Sequence, residues 1–454
     1  MSRNEQSRRN FLKVLAGAGA TLALTSPAQA VENAAVAEVA EVKFKPLETV
    51  RLALIGVGHR GSSHVAQLLT LEGVEIVALA DNYAPALKAA GASAKKAGRK
   101  EPAGFGRGEE DYKRMLERDD IDAVIVATPW EWHTRMSVDA MQAGKHVFTE
   151  VPAATTIDEC WQLVETCEKT QKRCMMMENC CYGREELFCL HLCRLGLFGE
   201  LLHGEGAYIH ETRNRMLKVG PGSRQWRVWH YVKRNGNMYP THGLGPIAQY
   251  MNINRGDRLD YLSSMSSPAR GFAAYAKAHL PADHQWNKVP KWNCGDTCNT
   301  LVKTALGRTI LVQWDECTPR PYSRLNLIQG TRGAFAGYPS RLSIEGLTAT
   351  TQEWTEGQPL EELFKKYEHP LWKKMGDLAQ KGGGHGGMDW LMLWRMIYCL
   401  RSGEALDQDV YDAATWSAVG PLSEKSIANR SQSIDIPDFT RGQWKNKKPL
   451  GIIS

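Results

Sequence analysis

The strongest constraint on this chain lies near residue 50. Val50-Arg51-Leu52-Ala53-Leu54-Ile55 is apolar apart from Arg51 and runs directly into Gly56-Val57-Gly58-His59-Arg60-Gly61. A helical pattern continues to Leu69, and a second apolar run over residues 74–80 ends at Asp81. Each glycine of G-x-G-x-x-G has its own physical reason. The first makes a tight turn, the second lets the backbone approach a pyrophosphate, and the third lets helix and strand pack. The helix N-terminus offers unpaired N–H groups to the phosphate. Asp81 follows Gly61 by 20 residues, where an acid accepts from ribose hydroxyls and repels a 2′-phosphate. The unit predicts a dinucleotide site that favours NAD over NADP, contacted by Gly56, Gly58, Gly61 and Asp81.

The pattern repeats. Strand-like runs at 121–127, 146–149 and 174–177 alternate with helical segments at 134–143 and 157–170. That alternation predicts a doubly wound parallel sheet of Rossmann type over residues 49–178. After about residue 180 the strand patterns at 202–210, 259–265, 300–306 and 309–315 lack regular crossover helices. They predict an α+β substrate domain over 179–454, built on a large, mostly antiparallel open sheet. Glycines surround His385 at 382–387, before a helix over 388–400. They allow close backbone approach to a ligand and suit a turn equally well.

The N-terminus reads as an address. Ser7-Arg8-Arg9-Asn10-Phe11-Leu12-Lys13 precedes an apolar stretch at 14–24 and a small-residue site, Ala28-Gln29-Ala30. Paired arginines before a modest apolar segment predict a twin-arginine signal over 1–30, followed by a linker over 31–48 and release to the periplasm or medium. The stretch is too short to span a bilayer, and no later segment reaches the required length of about 20 apolar residues. The signal carries part of the formal charge of +6, and what remains is no argument for nucleic acid. The eleven cysteines include no zinc-like C-x-x-C pair, so no metal is expected. Disulfides after export remain open, as does a homo-oligomer.

Trp130-Glu131-Trp132-His133 follows the strand ending at Thr128-Pro129, and Glu150-Val151-Pro152 ends another on the same edge. Residues past the carboxyl ends of such strands face the cofactor crevice. Tyr239-Pro240-Thr241-His242 brings together two side chains able to move protons, in a segment that Pro240 keeps off a helix face. Arg227, between Trp226 and Trp229, offers the apolar and cationic setting that suits a sugar.

Together the glycine loop, Asp81, the Thr128-Pro129 turn and the Glu150-x-Pro152 step resemble the superfamily of glucose–fructose oxidoreductase and inositol dehydrogenase. That superfamily usually places lysine where this chain has Val151, which argues against ordinary alcohol dehydrogenation. A closer resemblance covers nearly the whole chain. Residues 56–61, 130–133, Glu178-Asn179 with Cys181-Tyr182, 198–201, 239–243, 252–256, 320–322, 385–389 and 421–428 are similar to glycoside hydrolase family 109.

The resemblance implies NAD-dependent hydrolysis of terminal α-N-acetylgalactosaminides. For the cofactor it implies His59, Arg60, Asp81, Trp130, Glu131, Trp132, His133, Glu150, Val151 and Asn179. For the substrate it implies Tyr208, Arg227, Tyr239, Pro240, Thr241, His242 and Tyr322. The implied chemistry is oxidation at C3 of the sugar, elimination across C2 and C1, water addition and re-reduction, with retention. Most glycosidases use two carboxylates instead. His242, Tyr239 and Tyr182 are the candidate proton-transfer groups. Two other readings are a sugar dehydrogenase or sugar–sugar oxidoreductase, which would accumulate reduced cofactor or a second product, and a silent sugar-binding protein.

Overall fold

Six short strands build the first sheet: β1 (Val50–Ile55), β2 (Val74–Ala80), β3 (Ala103–Phe105), β4 (Ala123–Val126), β5 (His146–Thr149) and β6 (Cys174–Met176). They come from a computed structural model that describes residues 45–220, 222–449 and 452. The signal read at 1–30 and most of the linker lie outside the described residues. The strands run parallel in the order β3-β2-β1-β4-β5-β6. β1 pairs with β2 from Val50 opposite Val74, and with β4 from Leu52 opposite Ala123. Their near-continuous apolar character fits a sheet covered on both faces. The order reverses between β1 and β4, and the crevice beyond their carboxyl ends is where such sheets bind ligands.

Two local features depart from expectation. β3 has three residues, too few for a period to show. The helix expected from residue 134 begins at Trp130 and runs to Gln142, because Pro129 is its N-cap and Glu131 supports its first turn. Trp130, Glu131, Trp132 and His133 therefore belong to a helix and not to a loop. The helix Ile157–Thr170 matches its expected bounds and starts in a Thr156–Glu159 capping box.

The second sheet has eight strands: β7 (Leu201–Ile209), β8 (Leu259–Ser266), β9 (Cys298–Thr304), β10 (Thr309–Asp315), β11 (Leu327–Gly330), β12 (Gly333–Ala336), β13 (Arg341–Ile344) and β14 (Ile434–Asp435). Their order is β13-β12-β11-β7-β10-β9-β8-β14. Every pairing is antiparallel except β7 with β10.

The two sheets share one hydrophobic core. Helix Met388–Ser402 packs on helix His59–Leu68 and on β1, and helix Val410–Ala428 packs on β8, β6 and helix Ile157–Thr170. The C-terminal helices thus cover the first sheet as well as the second. All eleven cysteines are unpaired, and all but the half-buried Cys193 are buried, so the disulfides left open by the sequence are not formed. No helix among the described residues is long and apolar enough to cross a membrane.

Two buried histidines make the fold sensitive to acid. The Leu371 N–H donates to His369 Nδ1 (3.2 Å) and the Arg173 N–H to His146 Nδ1 (3.0 Å). A protonated ring nitrogen cannot accept these bonds. Burial, aided by neighbouring His191 and Arg194, pushes His369 down to about 3. Burial, with Lys172 and Arg173, pushes His146 down to about 4. The unfolded chain takes up protons first, from about pH 6.5 downward. The stabilisation is therefore complete above that pH and is lost as pH falls towards 4 and 3. At pH 5 each ring costs about 2 kcal/mol. The thermal midpoint should drop between pH 7 and pH 5, and His369→Asn, which keeps a capping acceptor, should flatten the drop. Equal midpoints at the two pH values for the wild-type protein would refute this.

Candidate active site

A cleft of about 590 Å³ opens beyond β1 and β4, with the glycine turn on one side and β7 and the helices after it on the other. The three glycines do three different things. Gly56 has φ +85°, and a Cβ there would lie 2.6 Å from the Ala127 carbonyl oxygen. A Cβ on Gly61 would lie 1.9 Å from the Gly56 carbonyl oxygen, so Gly61 is a packing residue behind the cleft. A Cβ on Gly58 would meet nothing within 4 Å, and this residue lines the cleft. Helix His59–Leu68 has neither a side-chain cap nor an acid in its first turn. Empty space at the second glycine and uncapped N–H groups fit a dinucleotide phosphate. Asp81, also in the lining, accepts the Val57 N–H on Oδ2 and the Tyr83 N–H on Oδ1, both at 2.8 Å.

Below the turn lies an ion network. Arg60 donates from Nε to Glu150 Oε1 (2.7 Å) and from a terminal nitrogen to Asp389 Oδ2 (2.6 Å). His64 Nε2 lies 2.6 Å from the same Glu150 oxygen. The Asn179 amide donates to Asp389 Oδ1 (2.5 Å), and His385 Nδ1 lies 2.8 Å from Asp389 Oδ2. Burial opposes the charge on Glu150, but Arg60 and His64 outweigh it and hold the carboxyl well below its usual range. Asp389 is likewise held low against burial by His385 and Arg60. His133 is buried between the carbonyls of Pro152 (2.7 Å) and Thr128 (2.8 Å), tying two edge turns together. Val151 is buried in the lining, where no lysine is available. Glu131 and Trp132 line the same edge.

Across the cleft, helix Thr241–Tyr250 lies directly on β7. A Cβ on Gly206 would fall 2.1 Å from the Gly243 carbonyl oxygen, and one on Gly245 would fall 2.8 Å from Glu178 Cγ. Only glycines permit that approach, which seats His242 against Glu178. His242 Nδ1 lies 2.7 Å from Glu178 Oε1, leaving Nε2 without a partner among the described residues. Pro240 in the sequence predicts that His242 lies off a helix face. It in fact lies in the first helical turn, since Pro240 is a compatible N-cap.

Tyr239 stacks on Trp130 at 5.6 Å and meets His242 edge-on at 4.8 Å. Burial pushes its phenol well above the ordinary value, so it keeps its proton near neutrality. The Arg227 guanidinium lies 4.2 Å from the Tyr239 ring and 4.6 Å from the Trp130 ring. It is no surface group. It pairs with the fully buried Glu316 (2.6 Å) and also donates to the Tyr231 hydroxyl (2.7 Å). Tyr208 shares a hydrogen bond with His210 Nδ1 (2.9 Å), and burial pushes His210 down to about 4.

Not every candidate reaches the cleft. Tyr182 is fully buried, with its hydroxyl donating to Asp407 Oδ2 (3.1 Å) and its carbonyl accepting from Trp372. It is outside the lining and is not a proton-transfer group here. Pro240 lies in a separate crevice with Trp130 and Met238, and Thr241 is buried behind the wall. Tyr322 stands at the rim, 39% exposed, 4.9 Å from the His210 ring. Glu178, Asp389, His210, Arg215 and Arg224 were missed. Position at the end of β6 could have flagged Glu178, since every other strand end on that edge faces the crevice. Glu178, Cys180 and His242 bring ligand-capable atoms within 4.8 Å of one another. Burial pushes the Cys180 thiol well up, which disfavours the thiolate a metal would take.

Residues 182–446 match the C-terminal domain of glycosyl hydrolase 109, and residues 50–178 match an oxidoreductase family with an NAD-binding Rossmann fold. A Shewanella oneidensis protein named alpha-N-acetylgalactosaminidase is 53% identical over 461 residues, covering 98% of each chain. A glycosyl hydrolase family 109 protein of Shewanella baltica is 53% identical over 455 residues, again 98% of each. Among solved structures, an NAD-binding oxidoreductase from Klebsiella pneumoniae superposes with TM-score 0.66 at 15% identity, over 86% of this chain and 99% of that one. Levoglucosan dehydrogenase in complex with NADH and levoglucosan gives TM-score 0.65 at 16% identity, over 86% and 100%. At such identities these solved structures speak to the fold.

Proposed function

The chain belongs to glycosyl hydrolase family 109, and on that premise we propose that it releases terminal α-linked N-acetylgalactosamine with retention, using NAD that ends each turnover as it began. The observation that carries the proposal is His242, backed by the buried Glu178 (2.7 Å) and lining the same cleft as the dinucleotide cradle. The close relative named alpha-N-acetylgalactosaminidase supports the choice of sugar. Val151 supports hydrolysis over net dehydrogenation, the lysine of alcohol oxidation being absent.

When bound against the glycine turn and Asp81, NAD would supply oxidation at C3 of the sugar and its reversal at the end of the turnover, the C3 ketone making the C2 hydrogen acidic. His242 takes up a proton while Glu178 stabilises the imidazolium and fixes which ring nitrogen faces the substrate. Tyr239, holding its phenol proton, donates a hydrogen bond to oxygen developing negative charge. Loss of the C2 proton expels the C1 oxygen, which leaves protonated as the alcohol. Water adds at C1, and C2 regains a proton. Arg227, neutralised by Glu316, shapes the sugar wall with Trp130 and Tyr239. Glu150 and Asp81 are held by other groups and do not serve as the usual carboxylate pair.

Hydrolysis in heavy water should place deuterium at C2 of the released sugar with no accumulation of NADH. Displacement at C1 never breaks the C2–H bond, so product carrying only protium at C2 would defeat the mechanism. Export as a folded, cofactor-loaded protein is part of the same proposal. Arg8 and Arg9 before a short apolar segment support it, since no nicotinamide pool exists outside the cytoplasm.

A further inference from the structure

The diphosphate of a dinucleotide brings two negative charges into the cleft, and the glycine turn answers them with N–H groups alone. Arg60, the nearest cation in that turn, is committed to Glu150 and Asp389. Unpaired positive charge enters from the opposite wall. Gly222, Ser223, Arg224 and Arg215 line the same cleft as Gly58 and His59. The Arg224 guanidinium has neither a carboxylate nor a hydrogen-bond partner among the described residues. Arg215 meets only His210 Nε2, at 3.4 Å, and the His210 ring is neutral at physiological pH. Ser223 Oγ is buried and also unpartnered. Gly220 (φ +118°) and Gly222 (φ +74°) shape the backbone that presents this group.

The electrostatics agree. Burial and then the like charges of Arg227 and Arg215 push Arg224 below the ordinary arginine value. Burial and then Arg224 push His59 down, which places this positive charge beside the residue following Gly58. A half-buried guanidinium without a counter-ion, next to an orphaned hydroxyl, is an arrangement that an anion completes. Arg227 does not share this state, because Glu316 neutralises it.

We infer that Ser223, Arg224 and Arg215 form the second jaw of a diphosphate clamp, gripping the dinucleotide from the face opposite the glycine turn. The inference rests on the NAD reading of the cleft and extends it to residues of the second half of the chain. Retention of the cofactor then depends on the substrate-side wall as well as on the nucleotide fold.

The test compares wild type with Arg224→Met, Arg215→Met and the double variant. NAD retained through gel filtration is measured, then displacement of NAD by ADP and by adenosine at low and high salt. ADP carries the diphosphate and adenosine does not. The clamp predicts that ADP outcompetes adenosine in wild type and that high salt narrows the gap. In the double variant the ADP preference should fall at least about 10-fold, with adenosine binding unchanged. The ligand-free variants should melt at or above the wild-type temperature, since they lose unpaired charge.

An unchanged ADP-to-adenosine ratio in the double variant would overturn the clamp while leaving the cofactor reading intact. If KM then rose only for glycosides bearing an acidic group, the arginines would belong to a glycan subsite. Wild-type protein that binds neither NAD nor ADP would sink the cofactor reading itself, and the clamp with it.

Discussion

Replacing His242 with alanine should slow turnover by about 10²-fold or more, the usual scale for a general acid or base. Bound NAD should stay at the wild-type level, because His242 lies across the cleft from the glycine turn, on helix Thr241–Tyr250. The alanine side chain is smaller and the ring makes one hydrogen bond, so the fold should survive. Glu178→Gln is the sharper companion. It keeps the size and an acceptor oxygen near Nδ1 but removes the charge that stabilises the imidazolium. It should lower kcat more than it raises KM and should shift the pH profile of kcat. Rates for His242→Ala close to wild type would remove the assignment and move Tyr239 to the front. An unshifted profile for Glu178→Gln would show that Glu178 is only a structural acceptor.

Arg227→Ala should have a large effect of another kind. It leaves the Glu316 carboxylate fully buried, answered only by the Tyr231 hydroxyl (2.6 Å), the Trp314 indole N–H (3.2 Å) and, more weakly, the Thr212 hydroxyl (3.5 Å). Breaking one side of such a pair typically costs about 3–5 kcal/mol. The cation over the Trp130 and Tyr239 rings goes as well, so KM should rise. Arg227→Met combined with Glu316→Gln removes both charges and keeps most of the volume. Denaturant unfolding should show most of the stability restored in that double variant, while KM stays high. A double variant as unstable as Arg227→Ala would mean that packing, not charge, sets the penalty. A normal KM would show that Arg227 does not meet the sugar.

Much of this was legible in the sequence because it is local. The glycine turn, Asp81 and the alternation of residues 50–178 are encoded within a few residues of one another, and strand ends point where sheet geometry sends them. What escaped was pairing across long separations. Arg60 and Asp389 are 329 residues apart, and Tyr182 and Asp407 are 225 apart. No periodicity reports such contacts. Tyr182 sits just past a strand end that faces the crevice, and only the buried Asp407 shows that its hydroxyl is spent elsewhere. The four-residue strands β11, β12 and β13 were invisible for a simpler reason, being too short for alternation to register. Nothing in the sequence singles out arginines 215 and 224; only the cleft shows that no carboxylate among the described residues pairs with them.

The shared core has a consequence for how such a chain could change over generations. Helices Met388–Ser402 and Val410–Ala428 roof a sheet that was completed more than two hundred residues earlier in the chain. The nucleotide-binding part is therefore not a cassette that recombination could lift out and graft elsewhere. A cut at its sequence boundary would bare the face those helices protect. New specificity must arise instead by point changes and loop growth around a fixed frame, and drift in the tail is screened by its effect on the cofactor site at the other end of the chain.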